Sequence, residues 1–392
     1  MFKNHLSIID NLLCRFTKMV KKLILEIGNT LSEEENEHFS ISQLLETNNE
    51  LHRTITKYKN KITEHYINKS WDKFKKISNE YEMIFTTPNT SSNISKYNPV
   101  SRSFFKMWEL LYDFKDNFNF PHVHPIKACM LCEGPGGFAE ALIKYRSNNL
   151  DEYHGMSLKS NNDRNIPDWK FMDRIKIHYG ADNTGNLYNM INIFHLVKTL
   201  GKNSMDFITA DGGFDFSSDF NNQEEMSLKL IYCEIMSTLL LQKEGGSFVL
   251  KIYDMFTENS LKVIHLLRKF YKSINLVKPL TSRPANSEKY VVCVGYTRSE
   301  YFNEYFLMLF KLIKDDTHSI AIPLEYDIRL LKNIVCFNTY YTLRQMYYIQ
   351  RTIDYINIFK EASSKWLANL IMSKHKKKSI KWCQKYNIPC VD

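Results

Sequence analysis

Between residues 100 and 298 short apolar runs alternate with longer amphipathic ones. KACMLCE (127–133), EYHGMSL (152–158), IKIHYG (175–180), MDFITAD (205–211), GSFVLKIYD (246–254), SINLVKP (273–279) and KYVVCVGY (289–296) have the length and β-branched or aromatic content of strands. SRSFFKMWELLYDF (101–114), GGFAEALIKYR (136–146), LYNMINIFHLVKTLG (187–201), EEMSLKLIYCEIMSTLLLQK (224–243) and ENSLKVIHLLRKFY (258–271) read as helices, the fourth breaking at Gly245-Gly246. Strand alternating with helix over such a length predicts an α/β fold, a mostly parallel sheet covered on both faces. The last two strands are joined by nine residues, 280–288. A parallel return needs a longer crossover, so the last strand is expected to be antiparallel.

The flanks differ. Residues 1–95 read as a polar N-terminal helical region, starting with the amphipathic stretch MFKNHLSIIDNLLCRF, which charged and polar residues interrupt too often for a signal peptide. TTPNTSSNISKYNP (86–99) has the composition of a linker, so the α/β unit is expected over 96–298. Residues 299–392 return to helix, in EYFNEYFLMLFKLI and a long run from Tyr326 to Met372, and finish in the basic tail SKHKKKSIKWCQKY. No run of about 18 apolar residues is present, so no membrane contact is expected.

Composition changes this picture in three places. Lys and Arg outnumber Asp and Glu by 52 to 43, a net charge of +9 compatible with a polyanion partner but not sufficient to establish one. Eight cysteines over 392 residues are too sparse for a disulfide scaffold. Their one C-x-x-C pair, Cys129 and Cys132, lies in a strand, where residues three apart face opposite sides and cannot share a metal. His122 and His124 in FPHVHP have no partnering acid or cysteine nearby, so no metal is expected. Finally, only 13 glycines occur, and several are concentrated at strand ends.

The first such place is CEGPGGFAEAL (132–142), where Gly134, Gly136 and Ala139 fit the G-x-G-x-x-G/A pattern of cofactor turns between a strand and a helix. A dinucleotide enzyme would carry an acid at the end of the second strand; here Met156-Ser157-Leu158-Lys159 has none. Glu133 before the glycines and Pro135 among them suit a cationic cofactor without a pyrophosphate, such as S-adenosylmethionine. In ITADGGFD (208–215), Asp211 ends a strand where open α/β sheets bind ligands, while Asp215 reads as a turn cap. In FVLKIYD, Lys251 follows three apolar residues near the end of a buried strand, a costly place for an unpaired amine. Glu288 opens the last strand, and Lys106 shares a helix with Phe104, Phe105, Trp108 and Leu111.

Together with GADNTGN (180–186), GGSFVLKIYD and KPLTSRPANSEKYVVC, these blocks resemble, in order, those of the FtsJ-like (RrmJ-like) RNA ribose 2′-O-methyltransferases, most closely the mRNA cap enzymes of eukaryotes and large DNA viruses. The resemblance covers about residues 100–298. It implies a Rossmann-like methyltransferase sheet and a catalytic Lys–Asp–Lys–Glu tetrad at Lys106, Asp211, Lys251 and Glu288. It also implies a cofactor site from Glu133, Gly134, Pro135, Gly136, Gly137, Phe138, Asp182, Asn183 and Asp211. S-adenosylmethionine would be consumed and S-adenosylhomocysteine released. The implied partner is RNA, above all the capped mRNA 5′ end, with capping or transcription proteins as further partners. Ribosomal or transfer RNA, and a non-catalytic RNA-binding scaffold, are the alternatives.

Lys251 would act as general base or oxyanion stabiliser. As a base it must be neutral, and lowering an amine from ~10.4 to ~8 costs about 3 kcal/mol. In the other reading both lysines stay charged and the proton leaves late. The tail from Lys374 to Lys385, with Trp382 and Tyr386, is a candidate RNA contact. The Lys- and Asn-rich composition hints at an AT-rich, viral genome and a cytoplasmic site of action, with virion or nucleus as other settings.

Overall fold

Seven strands form a single sheet in the order β3-β2-β1-β4-β5-β7-β6. The strands are β1 (Lys127–Leu131), β2 (Glu152–Met156), β3 (Ile175–His178), β4 (Met205–Ala210), β5 (Gln242–Ile252), β6 (Tyr271–Val277) and β7 (Lys289–Tyr296). The first five run parallel; β7 is inserted between β5 and β6 and is antiparallel to both. The structure, a computed structural model, describes residues 39–66, 70–90, 92–118, 120, 124–159, 169, 173–213, 221–315, 322–361 and 365–391. The expected N-terminal amphipathic helix, Cys14, His122 and Asp215 lie outside the described residues.

The helices are α1 (Ile41–Tyr66), α2 (Ser70–Ser78), α3 (Ser103–Asp113), α4 (Gly137–Arg146), α5 (Met190–Leu200), α6 (Gln223–Leu241), α7 (Glu258–Phe270), α8 (Phe302–Asp315), α9 (Ile328–Glu361) and α10 (Lys365–Lys385). Side chains alternate across each strand, which sorts the core into two layers. Cys129, Leu131, Ile208, Ala210, Phe248, Leu250, Val291 and Cys293 pack on the side of α5, α6, α7 and α8. Ala128, Met130, Phe207, Val249, Tyr290 and Val292 face α3, α4 and the end of α10. A fully buried Phe104, Leu110 or Leu111 each contributes about 1.5–3 kcal/mol to holding α3 on that face.

Two element boundaries differ from the sequence reading. α6 stops at Leu241, and β5 runs through Gly245 and Gly246 rather than starting after them. Gln242 already pairs with Met205 on β4, and a register shift between Met205 and Phe207 absorbs the glycines. The 86–99 segment is irregular, as its composition suggests, yet it is stitched to the chain's end. Lys96 donates its backbone N–H to Pro389 at 2.7 Å, Val391 donates to Ile94 at 2.9 Å, and Ile94 is buried.

The flanking helices pack on each other and on the sheet. Ile55 and Ile62 of α1, Trp71 and Phe74 of α2, and Ile349 and Ile356 of α9 form a third apolar cluster that includes Phe256 and Ala285. A buried ionic bolt reinforces it. Lys59 of α1 and Lys289 of β7 donate to the two oxygens of Asp254 at 2.6 and 2.7 Å, and all three side chains are about 5% exposed. Burial alone would raise the Asp254 carboxyl, but the ammonium groups of Lys289 and Lys59 hold it well below the usual aspartate range. No described helix is long and apolar enough to cross a membrane.

Asp254→Asn strands two buried amines and is expected to lower stability by about 3–5 kcal/mol, read by urea unfolding at neutral pH. Because the folded-state value is depressed, Asp254 contributes fully above ~3.9, the unfolded aspartate value. That contribution fades as pH falls below it, so this part of the acid limb of a stability–pH curve should be missing in the variant.

Candidate active site

The topology reverses between β1 and β4: from β1 the chain goes first to β2 on one side, then to β4 on the other. Such a switch point opens a crevice at the carboxyl ends of the strands, where α/β sheets take ligands. Cys132 and Glu133 directly follow β1 there, Asp211 directly follows β4, and β5 carries Lys251 nearby. By strand alternation Lys251 shares the face of Val249, and Glu288 that of Tyr290 and Val292, the face covered by α3. α3 brings Lys106 to the same point.

The four side chains meet as two close ion pairs. Lys106 Nζ lies 2.7 Å from Glu288 Oε2. Lys251 Nζ donates to the Asp211 backbone carbonyl at 2.6 Å and lies 3.2 Å from Asp211 Oδ1. Tyr290 donates its hydroxyl to that same Oδ1 at 3.0 Å. The second oxygen of Glu288, Oε1, is buried and has no hydrogen-bond partner.

The electrostatics separate the two roles open to Lys251. Burial would push its amine down, as a base requires, but Asp211, Tyr253 and Glu288 outweigh burial and raise it above the ordinary lysine value. Lys251 is therefore an ammonium in this arrangement. Of the two roles left open for Lys251, the charged one is favoured here: the counter-charges that make its burial tolerable also favour its protonated form. Glu288 is the reverse case, with Lys106 and Lys251 overcoming burial to hold it ionised.

Glu133 is 4% exposed; its Oε1 accepts the Thr209 hydroxyl of β4, and its Oε2 has no partner. Burial raises its pKa strongly, with Asp211 adding repulsion. An orphaned, buried carboxylate oxygen beside a glycine turn suits a ligand that brings an ammonium group, not one that brings phosphate. After it come Gly134 and Pro135; then Gly136 takes a left-handed φ of 103°, with its missing Cβ facing Trp169 at 3.0 Å. α4 begins at Gly137, and Phe138 is buried against Tyr290.

GADNTGN forms a self-bonded loop beside the end of β2, with Lys159 donating to the Thr184 carbonyl at 2.9 Å. Asp182 accepts from Thr184 N and Oγ1 at 2.9 and 2.7 Å and from Asn189 Nδ2 at 2.7 Å, which lowers its pKa. Its oxygens organise the loop. Asn183 is exposed, with φ of 61°.

The family profile of FtsJ-like methyltransferases matches residues 99–296, half of the chain. The chain belongs to the FtsJ-like methyltransferase family. Among similar curated proteins is cap-specific mRNA (nucleoside-2′-O-)-methyltransferase 1 of Danio rerio, 33% identical over 240 residues, covering 59% of this chain and 26% of the relative. Methyltransferase 1A of the same description from Caenorhabditis briggsae is 30% identical, covering 69% and 32%. A third, from the same species, is an inactive cap-specific enzyme 1B, 29% identical, covering 73% and 35%. The chain thus spans about a quarter to a third of the length of these relatives.

Some participants in this FtsJ-like site escaped the sequence reading. Glu234 lies on α6, 1% exposed, beneath the Asp211–Gly213 loop; burial pushes its carboxyl up to about 8. The signal was present as a lone acid in the apolar run IYCEIMSTLLL. Lys278 is buried and donates to the carbonyls of Asn286 and Glu288, both at 2.7 Å, fixing the approach to Glu288. Glu109, one turn beyond Lys106, accepts the backbone N–H groups of Leu280 and Thr281 at 2.7 and 3.2 Å.

The tail reading needs correction. Trp382 and Tyr386 are 3% and 1% exposed. Trp382 donates to Glu109 at 3.3 Å and Tyr386 to Asp113 at 3.0 Å, so neither ring can stack on a base. His124 is exposed, and its carbonyl accepts from Arg146. Among the described residues no group of three or more His, Cys, Asp or Glu side chains is placed to hold a metal.

Gly212 is closely packed under the site: a Cβ there would sit 2.4 Å from Glu234 Oε1 and 2.6 Å from Leu230 Cδ2. Gly212→Ala should therefore cost about 1–3 kcal/mol by overpacking and displace Asp211. Thermal unfolding reads the first effect, and loss of methyl transfer in protein that remains folded reads the second.

Proposed function

We propose that this chain is a cap-directed mRNA (nucleoside-2′-O-)-methyltransferase, acting on the ribose 2′-hydroxyl of a cap-proximal nucleotide. The observation that carries the reading is the convergence of Lys106, Asp211, Lys251 and Glu288, far apart in sequence, into two largely shielded ion pairs beside the glycine turn. An inactive relative of similar identity means that likeness over the domain cannot decide activity; the intact tetrad favours an enzyme over a scaffold.

S-adenosylmethionine, when bound, supplies an electrophilic methyl group on a sulfonium centre. Glu133 would hold the ammonium end of this cofactor through its free Oε2, and the Gly134–Gly137 turn would let the backbone approach it closely. The Asp182 loop, with Asn183, would border the adenine end. The chain's own residues do the rest. Lys106 and Lys251 stabilise negative charge developing on the 2′-oxygen. Asp211 and Tyr290 fix Lys251, and Glu288 fixes Lys106. Glu288 Oε1, which has no hydrogen-bond partner, would accept a hydrogen bond from the 2′-hydroxyl, orient its oxygen and take its proton late, as the oxygen gains the methyl group and the sulfonium becomes a neutral thioether. For Lys251 the electrostatics favour the reading in which it stays charged.

The net charge of +9 and the match to cap-specific relatives support capped RNA as the substrate class. Methyl transfer from S-adenosylmethionine to capped, uncapped and structured RNAs, with nuclease mapping of the product, tests this. The expected result is a 2′-O-methyl group at a cap-proximal nucleotide of capped RNA only. Methylation of uncapped structured RNA would transfer the assignment to the ribosomal and transfer RNA enzymes.

Lys251→Ala is expected to lower kcat by about 10²–10³ while S-adenosylhomocysteine affinity by calorimetry changes little. Glu133→Ala should show the opposite split, weakening S-adenosylhomocysteine by about tenfold or more, the equivalent of one charge-assisted hydrogen bond.

A further inference from the structure

The basic tail is not consumed by the catalytic site. In α10 the buried positions are Leu367, Ile371, His375, Ser379, Trp382 and Cys383, with Tyr386 following the helix. At 100° per residue, Lys374, Lys377, Lys378, Lys381 and Lys385 fall within an arc of about 100°, centred about 110° round the helix from the buried face and meeting its edge at Lys378 and Lys385. All five are exposed. Lys378 pairs with Glu80 at 2.6 Å and Lys385 with Asp113 at 3.4 Å. Among the described residues no carboxylate pairs with Lys374, Lys377 or Lys381.

Trp366 lies about 20° beyond the Lys377 edge of that arc, about 12 Å before Lys374 along the helix axis. It is 61% exposed, whereas Trp71, Trp108, Trp169 and Trp382 are all 7% exposed or less. A row of amines continued by one bare indole is the composition of a single-strand nucleic-acid track: charges for phosphates, a ring face for a base. An acidic protein partner would match the amines but gives no account of a tryptophan in line with them.

The stripe is rigidly indexed to the catalytic end. Trp382 packs against Phe105, the neighbour of Lys106, and bonds Glu109, while Lys385 meets Asp113 at the far end of α3. Seven residues separate Lys106 from Asp113, about 10 Å of helix.

We propose that the outer face of α10, Trp366 with Lys374, Lys377 and Lys381, binds the single-stranded RNA body while the cap-proximal ribose occupies the tetrad. This rests on the reading of the chain as an RNA methyltransferase, but its test does not use methyl transfer. A single-stranded RNA several tens of nucleotides long is titrated into the full chain, following tryptophan emission. Quenching is expected, and Trp366→Phe should abolish it. The triple variant Lys374→Gln, Lys377→Gln, Lys381→Gln should weaken Kd by about tenfold and flatten the log Kd against log salt slope by about 2, at ~0.7 per phosphate contact.

A control triple removes the same charge elsewhere: Lys198→Gln, Lys202→Gln, Lys269→Gln, at exposed positions on or next to α5 and α7. It should change Kd by less than about twofold. Equal weakening by both triples means net charge alone and overturns the proposal. So does RNA binding that leaves Trp366 emission and the stripe variant unchanged, which would leave a protein partner for that face. Absence of methylation on capped RNA with the quenching intact would instead count against the proposed enzyme activity alone.

Discussion

Two amines and two carboxylates are held out of bulk water at the carboxyl edge of one sheet, and the surrounding fold is arranged around that constraint. A buried charge without a partner costs several kcal/mol. Here each has one: Lys106 has Glu288, and Lys251 has Asp211. The pairing also decides the chemistry. A lysine isolated in an apolar pocket would lose its proton, whereas one that faces Asp211, Tyr253 and Glu288 keeps it. The catalytic idea that follows is electrostatic: fixed positive groups waiting for negative charge on an oxygen.

A second set of buried charges supports the first. Glu288 and Lys289 are adjacent at the start of β7, and alternation sends them to opposite sides of the sheet. Glu288 enters the site, and Lys289 reaches Asp254 and, through it, Lys59 of α1. Lys251 and Asp254 are likewise three positions apart, either side of the end of β5. The N-terminal helix is thus tied to the strand ends that carry half of the tetrad. The C-terminal end does the same for α3: Trp108 donates to the Tyr386 carbonyl at 2.9 Å, and Trp382 bonds Glu109 one turn from Lys106.

What was legible in the sequence was whatever depends on local pattern. Alternating strand and helix runs gave the parallel sheet, and the short loop 280–288 gave the antiparallel β7. Charged residues at apolar strand ends, Asp211 and Lys251 above all, marked themselves because burial needs a reason. Other features depend on what lies across the fold. Gly245 and Gly246 looked like a break because their pairing with β4 through a register shift is tertiary. Trp382 and Tyr386 looked like stacking aromatics because composition does not say which face of α10 is buried. Glu234 and Lys278 were hidden by the elements that enclose them, since a lone acid in an apolar helix has no visible partner until β1 and β4 are placed beside it.

The position of Glu133 bears on what kind of ligand the turn prefers. In a dinucleotide site the helix N-terminus and bare glycine amides face a pyrophosphate, and a carboxylate at the first position of the turn would repel it. Here one oxygen of Glu133 is satisfied by Thr209 and the other is left open, in a setting where burial and Asp211 both disfavour its charge. A ligand with an ammonium group would relieve that cost on arrival and make Glu133 a better anion. The same cation would add positive charge beside two amines that Asp211 and Glu288 already pair, and an ionised Glu133 would balance it. On the proposed function, pairing each amine of the tetrad with its own acid is what would let a cationic donor share the crevice with two lysines.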